Sequence, residues 1–80
     1  MSAVEVLYFA SLRDAAGTAQ EWVETDAADL AALYETLRAR HGFALARERL
    51  RVAVDGAFAD WSDAPRNGSE IAFIPPVSGG

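Results

Sequence analysis

Eighty residues carrying twelve Asp and Glu, seven Arg, a single His, no Lys and no Cys, at a formal charge of -5, describe one small acidic domain with a single core. The missing thiols exclude disulfides, thiolate metal sites and a cysteine nucleophile, and His41 alone cannot build a structural zinc site, so no metal is expected. The acidic balance argues against nucleic acid, no apolar run approaches the roughly 18 residues of a membrane span, and Met1 to Ala10 lacks a secretory pattern, so a cytoplasmic protein is expected, and a partner is plausible on size alone.

Ala3 to Ala10 (AVEVLYFA), rich in β-branched and aromatic residues, predicts a first strand apolar on both faces. Ser11 is placed to cap one helical turn through Leu12 to Ala16, with Gly17 just past its end where a left-handed residue is wanted. Gln20 to Thr25 predicts a short second strand anchored by Trp22 and hairpin-paired with the first. Asp26 is read as the N-cap of an amphipathic helix whose stripe is Leu30, Leu33, Tyr34 and Leu37 and whose end holds Arg38, Arg40, His41 and Gly42. Phe43 to Arg49 reads as a linker with room for an extra turn. Leu50 to Val54 predicts a third strand, Asp55-Gly56 a two-residue hairpin turn, and the residues around Phe58 a short fourth strand. Asn67-Gly68 is a second turn signal before a last strand, Glu70 to Ile74, which Pro75-Pro76 stops because neither proline donates to a ladder.

This order predicts an α+β fold, a β-grasp (ubiquitin-like) roll in which one main helix covers a mixed sheet of about five strands, with residues 1–75 as the domain and 76–80 as an extended, flexible tail. A ferredoxin-like βαββαβ needs a second full helix, and Pro65 and Gly68 stand where it would lie.

The chemistry concentrates at the end of the chain. From Ile71 onward no side chain is charged, and the two prolines hold the exit from the last strand extended. Gly79 and Gly80 have no Cβ, so their peptide units pass a narrow channel and present an unhindered carboxylate for acyl chemistry. A frayed terminus is the plain alternative for a Gly-Gly pair taken alone. Phe58 and Ile74 are candidate outward-facing anchors for a partner, and Phe73 is assigned to the core. Trp22 and Trp61 are read as packing or rim residues, and His41 as a helix C-terminal cation. Arg47, Arg49 and Arg51 are read as a solvated face. The absence of Lys has two readings: an activated acyl terminus free of capture by the protein's own amines, or, more simply, a bias toward Arg and Ala across the chain.

Val6-Leu7-Tyr8-Phe9-Ala10-Ser11-Leu12-Arg13, then Gly17, then Asn67-Gly68-Ser69-Glu70-Ile71-Ala72-Phe73, and finally Pro75-Pro76-Val77-Ser78-Gly79-Gly80 together resemble the small sulfur-carrier subunits of molybdopterin synthase, ubiquitin-like proteins, over nearly the whole chain. Ser69 departs from the acidic residue many relatives carry in that turn. The resemblance implies a chain that is no enzyme on its own and binds no cofactor. A ubiquitin-activating-like adenylyltransferase would use ATP to adenylate the Gly80 carboxylate, a persulfide sulfur would displace AMP, and the resulting Gly80 thiocarboxylate would donate sulfur to the cyclic pyranopterin precursor inside the large catalytic subunit. It implies a partner surface of Phe9, Arg13, Phe58, Ile74, Pro75, Pro76, Val77 and Ser78. A ubiquitin-like modifier conjugated through Gly80, and a carrier serving thiamine, tRNA or cysteine biosynthesis, share the same activated terminus.

Overall fold

A computed structural model of the chain describes residues 1–76. Along it run β1 (Ser2–Tyr8), α1 (Ser11–Ala16), β2 (Gln20–Thr25), α2 (Leu30–His41), a 3-10 turn at Arg47–Arg49, β3 (Arg51–Val54), β4 (Ala57–Phe58) and β5 (Glu70–Ile74). The five strands form one sheet in the order β2-β1-β5-β3-β4. β1 and β5 pair in parallel at its centre, and the other pairs are antiparallel. This is the expected α+β roll. No helix occupies 59–69, which removes the ferredoxin-like alternative.

Period-2 alternation in β1 and β5 sends Val4, Val6, Tyr8, Ile71 and Phe73 to one face, where all five are buried. Against that face lies the α2 stripe, Leu30, Leu33, Tyr34 and Leu37, each 0% exposed. Tyr34 donates its hydroxyl hydrogen to the Leu45 carbonyl at 2.7 Å, which satisfies its polar tip within the core. Its ring packs on Phe73 at 5.2 Å between centroids, and Trp61 stacks on Phe73 at 5.9 Å, so Trp61 is a packing residue.

Several local expectations are corrected. The helix cap is Asp29, whose carboxylate accepts from the Ala32 N–H at 2.8 Å, and not Asp26. The chain turns first at Thr25, whose hydroxyl accepts from Ala27 N–H, and the next helical donors, Leu30 and Ala31, are met by the carbonyls of Asp63 and Trp61. Ser11 is the first residue of α1 and makes no cap hydrogen bond; Ala10, at a φ of 52°, takes the N-cap position and ends β1 two residues early. Leu50 closes the 3-10 turn, so β3 begins one residue later than expected. Trp22 is 65% exposed, and the residue that anchors β2 is its neighbour Val23, because the register places Trp22 opposite Glu5 on the outer face.

The turns match their residues. Asp55 and Gly56 both have positive φ, 52° and 87°, as a two-residue turn matched to strand twist requires. Asn67 accepts from the Ala3 N–H with its side-chain oxygen, and buried Ser69 bridges the start of β5, donating its N–H to the Arg66 carbonyl and accepting from Glu5.

Candidate functional site

Because α2 covers one face only, the opposite face of the sheet has no helix on it. The strand register draws a row straight across that face: Leu7 beside Ala72, Ala72 beside Ala53, Ala53 beside Phe58. Two alanines between a leucine and a phenylalanine leave a trough, and the result is a groove of about 250 Å³. Phe9 and Ile74 wall it at one end, Gly56 and Glu70 at the other. Phe58 is 68% exposed and Phe9 44%, large apolar surface for a domain of this size.

Parallel pairing of β1 with β5 makes both strands finish at the same end. The chain therefore leaves β5 at the Phe9–Ile74 wall, through half-buried Pro75 and exposed Pro76. Arg51 pairs with Ile74 across the same edge, and its guanidinium lies 5.3 Å from the centre of the Phe58 ring, so the wall carries a cation held over an aromatic face. Exposed Arg13, on the α1 turn that follows β1, stands at this end too. Six of the residues expected to contact a partner, Phe9, Arg13, Phe58, Ile74, Pro75 and Pro76, are thus gathered at one end and one edge of the sheet. Val77, Ser78, Gly79 and Gly80 lie outside the described residues.

Sequence reasoning missed the floor of the groove, Leu7, Ala53 and Ala72. The signal was present as the second half of the alternation in β1 and β5, but only the register shows that these positions meet. It also missed a polar cluster on the helix side of the sheet. Tyr8 donates its hydroxyl hydrogen to the Glu21 carboxylate, and His41 Nε2 lies 2.7 Å from the same oxygen, tying the end of β1, the edge strand β2 and the last turn of α2 together. Burial, reinforced by the hydrogen bond to Glu21 and its negative charge, pushes the Tyr8 hydroxyl well above its usual range. Burial also pushes Glu21 up, yet the hydrogen bonds from Tyr8 and His41 and the positive charges of His41 and Arg40 outweigh it and hold the carboxyl below its usual value. None of these three side chains lines the groove, and His41, at the C-terminal end of α2, is paired with Glu21.

The sign of the Glu21 shift sets a pH dependence. A carboxyl held below its unfolded value of 4.5 binds fewer protons in the native state, so its contribution is complete above that pH and is lost as pH falls through the lower native value. Glu21→Gln is expected to cost about 1.5 to 3 kcal/mol at neutral pH and to flatten the acid limb of the stability curve. Denaturant melts of both proteins at a series of pH values check this, and an unchanged acid limb in the variant would contradict it.

Among the described residues no group of three or more His, Asp or Glu side chains is placed to hold a metal ion, and no helix is long and apolar enough to cross a membrane. Residues 6–80 match the family model described as the ThiS family. The molybdopterin synthase sulfur carrier subunit of Haemophilus influenzae is 36% identical over 80 residues, which cover 96% of this chain and 99% of that protein. The crystal structure of SAMP1 from Haloferax volcanii superposes with a TM-score of 0.82 at 28% identity, covering 99% of this chain and 100% of that one. A chain from the complex of subunits 1 and 2 of the Helicobacter pylori molybdopterin-converting factor shares the fold at a TM-score of 0.67 and 24% identity, covering 98% of this chain and 99% of that one. With its mixed sheet, single covering helix and a match that runs from β1 through Gly80, this chain belongs to the ThiS family of ubiquitin-like proteins.

Proposed function

We propose that this protein is a sulfur carrier in molybdopterin synthesis, the small subunit of a two-subunit synthase, with Gly80 as the atom-bearing terminus. The observation that carries this reading is the family match reaching through the Gly-Gly end, together with a named sulfur carrier related along almost its full length. The groove supports it physically: an apolar surface on the open face, continuous with the exit of the tail, lets a partner hold the domain while the tail enters the partner's site.

An ATP-dependent adenylyltransferase converts the Gly80 carboxylate to a mixed anhydride with AMP, releasing pyrophosphate. A persulfide sulfur then attacks the carbonyl carbon and AMP departs. After reduction of the remaining S–S bond by a thiol, Gly80 is left as a thiocarboxylate. In the large subunit that sulfur attacks the pyranopterin precursor, with acid and base groups from the large subunit, since the groove itself holds no such set. Gly79 keeps the last peptide unit narrow, while Phe9, Arg13, Phe58, Ile74, Pro75 and Pro76, with Val77 and Ser78 on the tail, form the contact to the partner.

The likeness to SAMP1, a small archaeal modifier protein, favours a second reading, in which the same activated Gly80 acylates lysines of other proteins. Intact mass of the chain purified from its native cells separates the two. Exchange of one oxygen for sulfur at the terminus supports the carrier, and isopeptide adducts support the modifier. A terminus that is only ever a plain carboxylate overturns both.

The surface has its own test. Phe58→Glu is expected to weaken binding to the large subunit by about ten-fold or more while changing the melting temperature of the isolated chain little, because Phe58 is exposed and a charge costs much at an apolar contact and little on a solvated face. Ile74→Glu, at a half-buried position, is expected to weaken binding more than it lowers the melting temperature. Calorimetric titration beside thermal melts decides it: unchanged affinity removes that residue from the interface, and a large loss of melting temperature assigns it to the core.

A further inference from the structure

An activated acyl carbonyl is captured by any amine that reaches it. The nitrogen lone pair forms the C–N bond, the bond from carbon to the leaving group breaks, and the amine's proton passes to solvent. A carbonyl tethered on a short tail is present around its anchor point at an effective concentration on the order of millimolar, so amines near the exit compete best. The positions that matter are therefore those within reach of the tail. Beyond Pro76 four residues remain, a span of about 14 Å at full extension. Arg51 falls inside it, since its Cα partner is Ile74, two residues before Pro76, and its exposed side chain lies on the groove face. Met1 stands at the other end of the sheet, with about 23 Å of β1 between it and Tyr8.

Resting on the carrier reading above, we propose that Arg51 is a specificity determinant of the acyl transfer: it places a cation at the tail exit without placing an acyl acceptor there. Guanidinium stays protonated and has no free nitrogen lone pair, whereas a lysine in the same position would keep the charge and offer a nucleophile. All seven basic side chains other than His41 are Arg, so whatever the origin of that composition, the activated terminus meets no side-chain amine of its own chain and is left for sulfur.

The test uses the full chain bearing a Gly80 thioester made by intein thiolysis, so neither the activating enzyme nor a sulfur donor takes part. Wild type, Arg51→Lys and Arg66→Lys are held at mildly alkaline pH and followed by intact mass, which separates the hydrolysed acid from the cyclic amide formed by internal capture. Arg66 is the charge-matched control, because it lies in the turn before β5, with about 23 Å of chain between Ser69 and Pro76. Wild type is expected to give only the acid, and R51K to give about ten-fold more cyclic amide than R66K, a difference that disappears in denaturing urea. The proposal is overturned if R51K hydrolyses without cyclising, if wild type cyclises to the same extent, or if R66K matches R51K in the folded state. Such a failure leaves the carrier reading standing, while a chain never thiocarboxylated in cells removes that reading and leaves the cyclisation result untouched.

Discussion

Removal of Gly80, or addition of one residue after it, is expected to abolish sulfur transfer in a reconstituted synthase and to leave the melting temperature unchanged. The two halves of this expectation come from different parts of the molecule. Among the described residues the last member of the buried core is Phe73, seven positions before Gly80, and this is why the melting temperature is expected to hold. On the proposed mechanism, activity depends on where the last carbonyl carbon lies relative to the partner's site. The count of residues after Pro75-Pro76 limits how far it can reach, and one residue changes that limit by about 3.4 Å. A misplacement of about 1 Å can cost on the order of 100-fold in rate, so either change is expected to lower product formation by at least that factor. Measuring product per chain, beside thiocarboxylation of the tail by mass, distinguishes failure at activation from failure at transfer. Wild-type conversion by either variant would sink the terminal-acyl mechanism.

Leu37→Ala and Leu33→Ala should fail in the opposite way. Both side chains are fully buried between α2 and the β1–β5 pair, and truncation leaves a cavity that a small, tightly filled core closes only in part. The expected cost is about 2 to 5 kcal/mol, against the roughly 5 to 15 kcal/mol typical of whole domains. At about 4 to 8 °C per kcal/mol for a chain of this size, the melting temperature falls by about 8 °C or more. Sulfur transfer should decline only in step with the folded fraction. If Leu33→Ala melted like wild type, the packing of α2 on the sheet would have to be redrawn.

What was legible in the sequence was what local chemistry decides. The α2 stripe, Gly42 beyond it in the left-handed region, the Asp55-Gly56 hairpin, the turn at Asn67-Gly68 and the span of β5 all follow from residues a few positions apart. Errors arose where distant partners intervened. Asp26 and Asp29 are equally good caps by type, and the choice falls to Asp29 because the loop at Trp61 and Asp63 supplies the carbonyls for the adjoining helical donors. Trp22 looks like an anchor by size, but its register with Glu5 turns it outward. At the site, the tail and the residues flanking it were readable as a linear motif. The trough was not, for it exists only where Leu7, Ala72, Ala53 and Phe58, on four different strands, are brought side by side. Nor was the tie between Tyr8, Glu21 and His41, whose members are separated by 13 and 20 positions.

The position of β5 in the sheet bears on how the protein comes off the ribosome. The last strand to be synthesised is the middle one, between β1 and β3, so until it emerges the β1–β2 and β3–β4 hairpins share no ladder and each shows a bare edge. A released chain truncated after Ser69 is expected to lack the native sheet and to present those edges to chaperones and proteases. The strand that closes the sheet is thus followed directly by the segment that, on the proposed mechanism, the activating enzyme would grip.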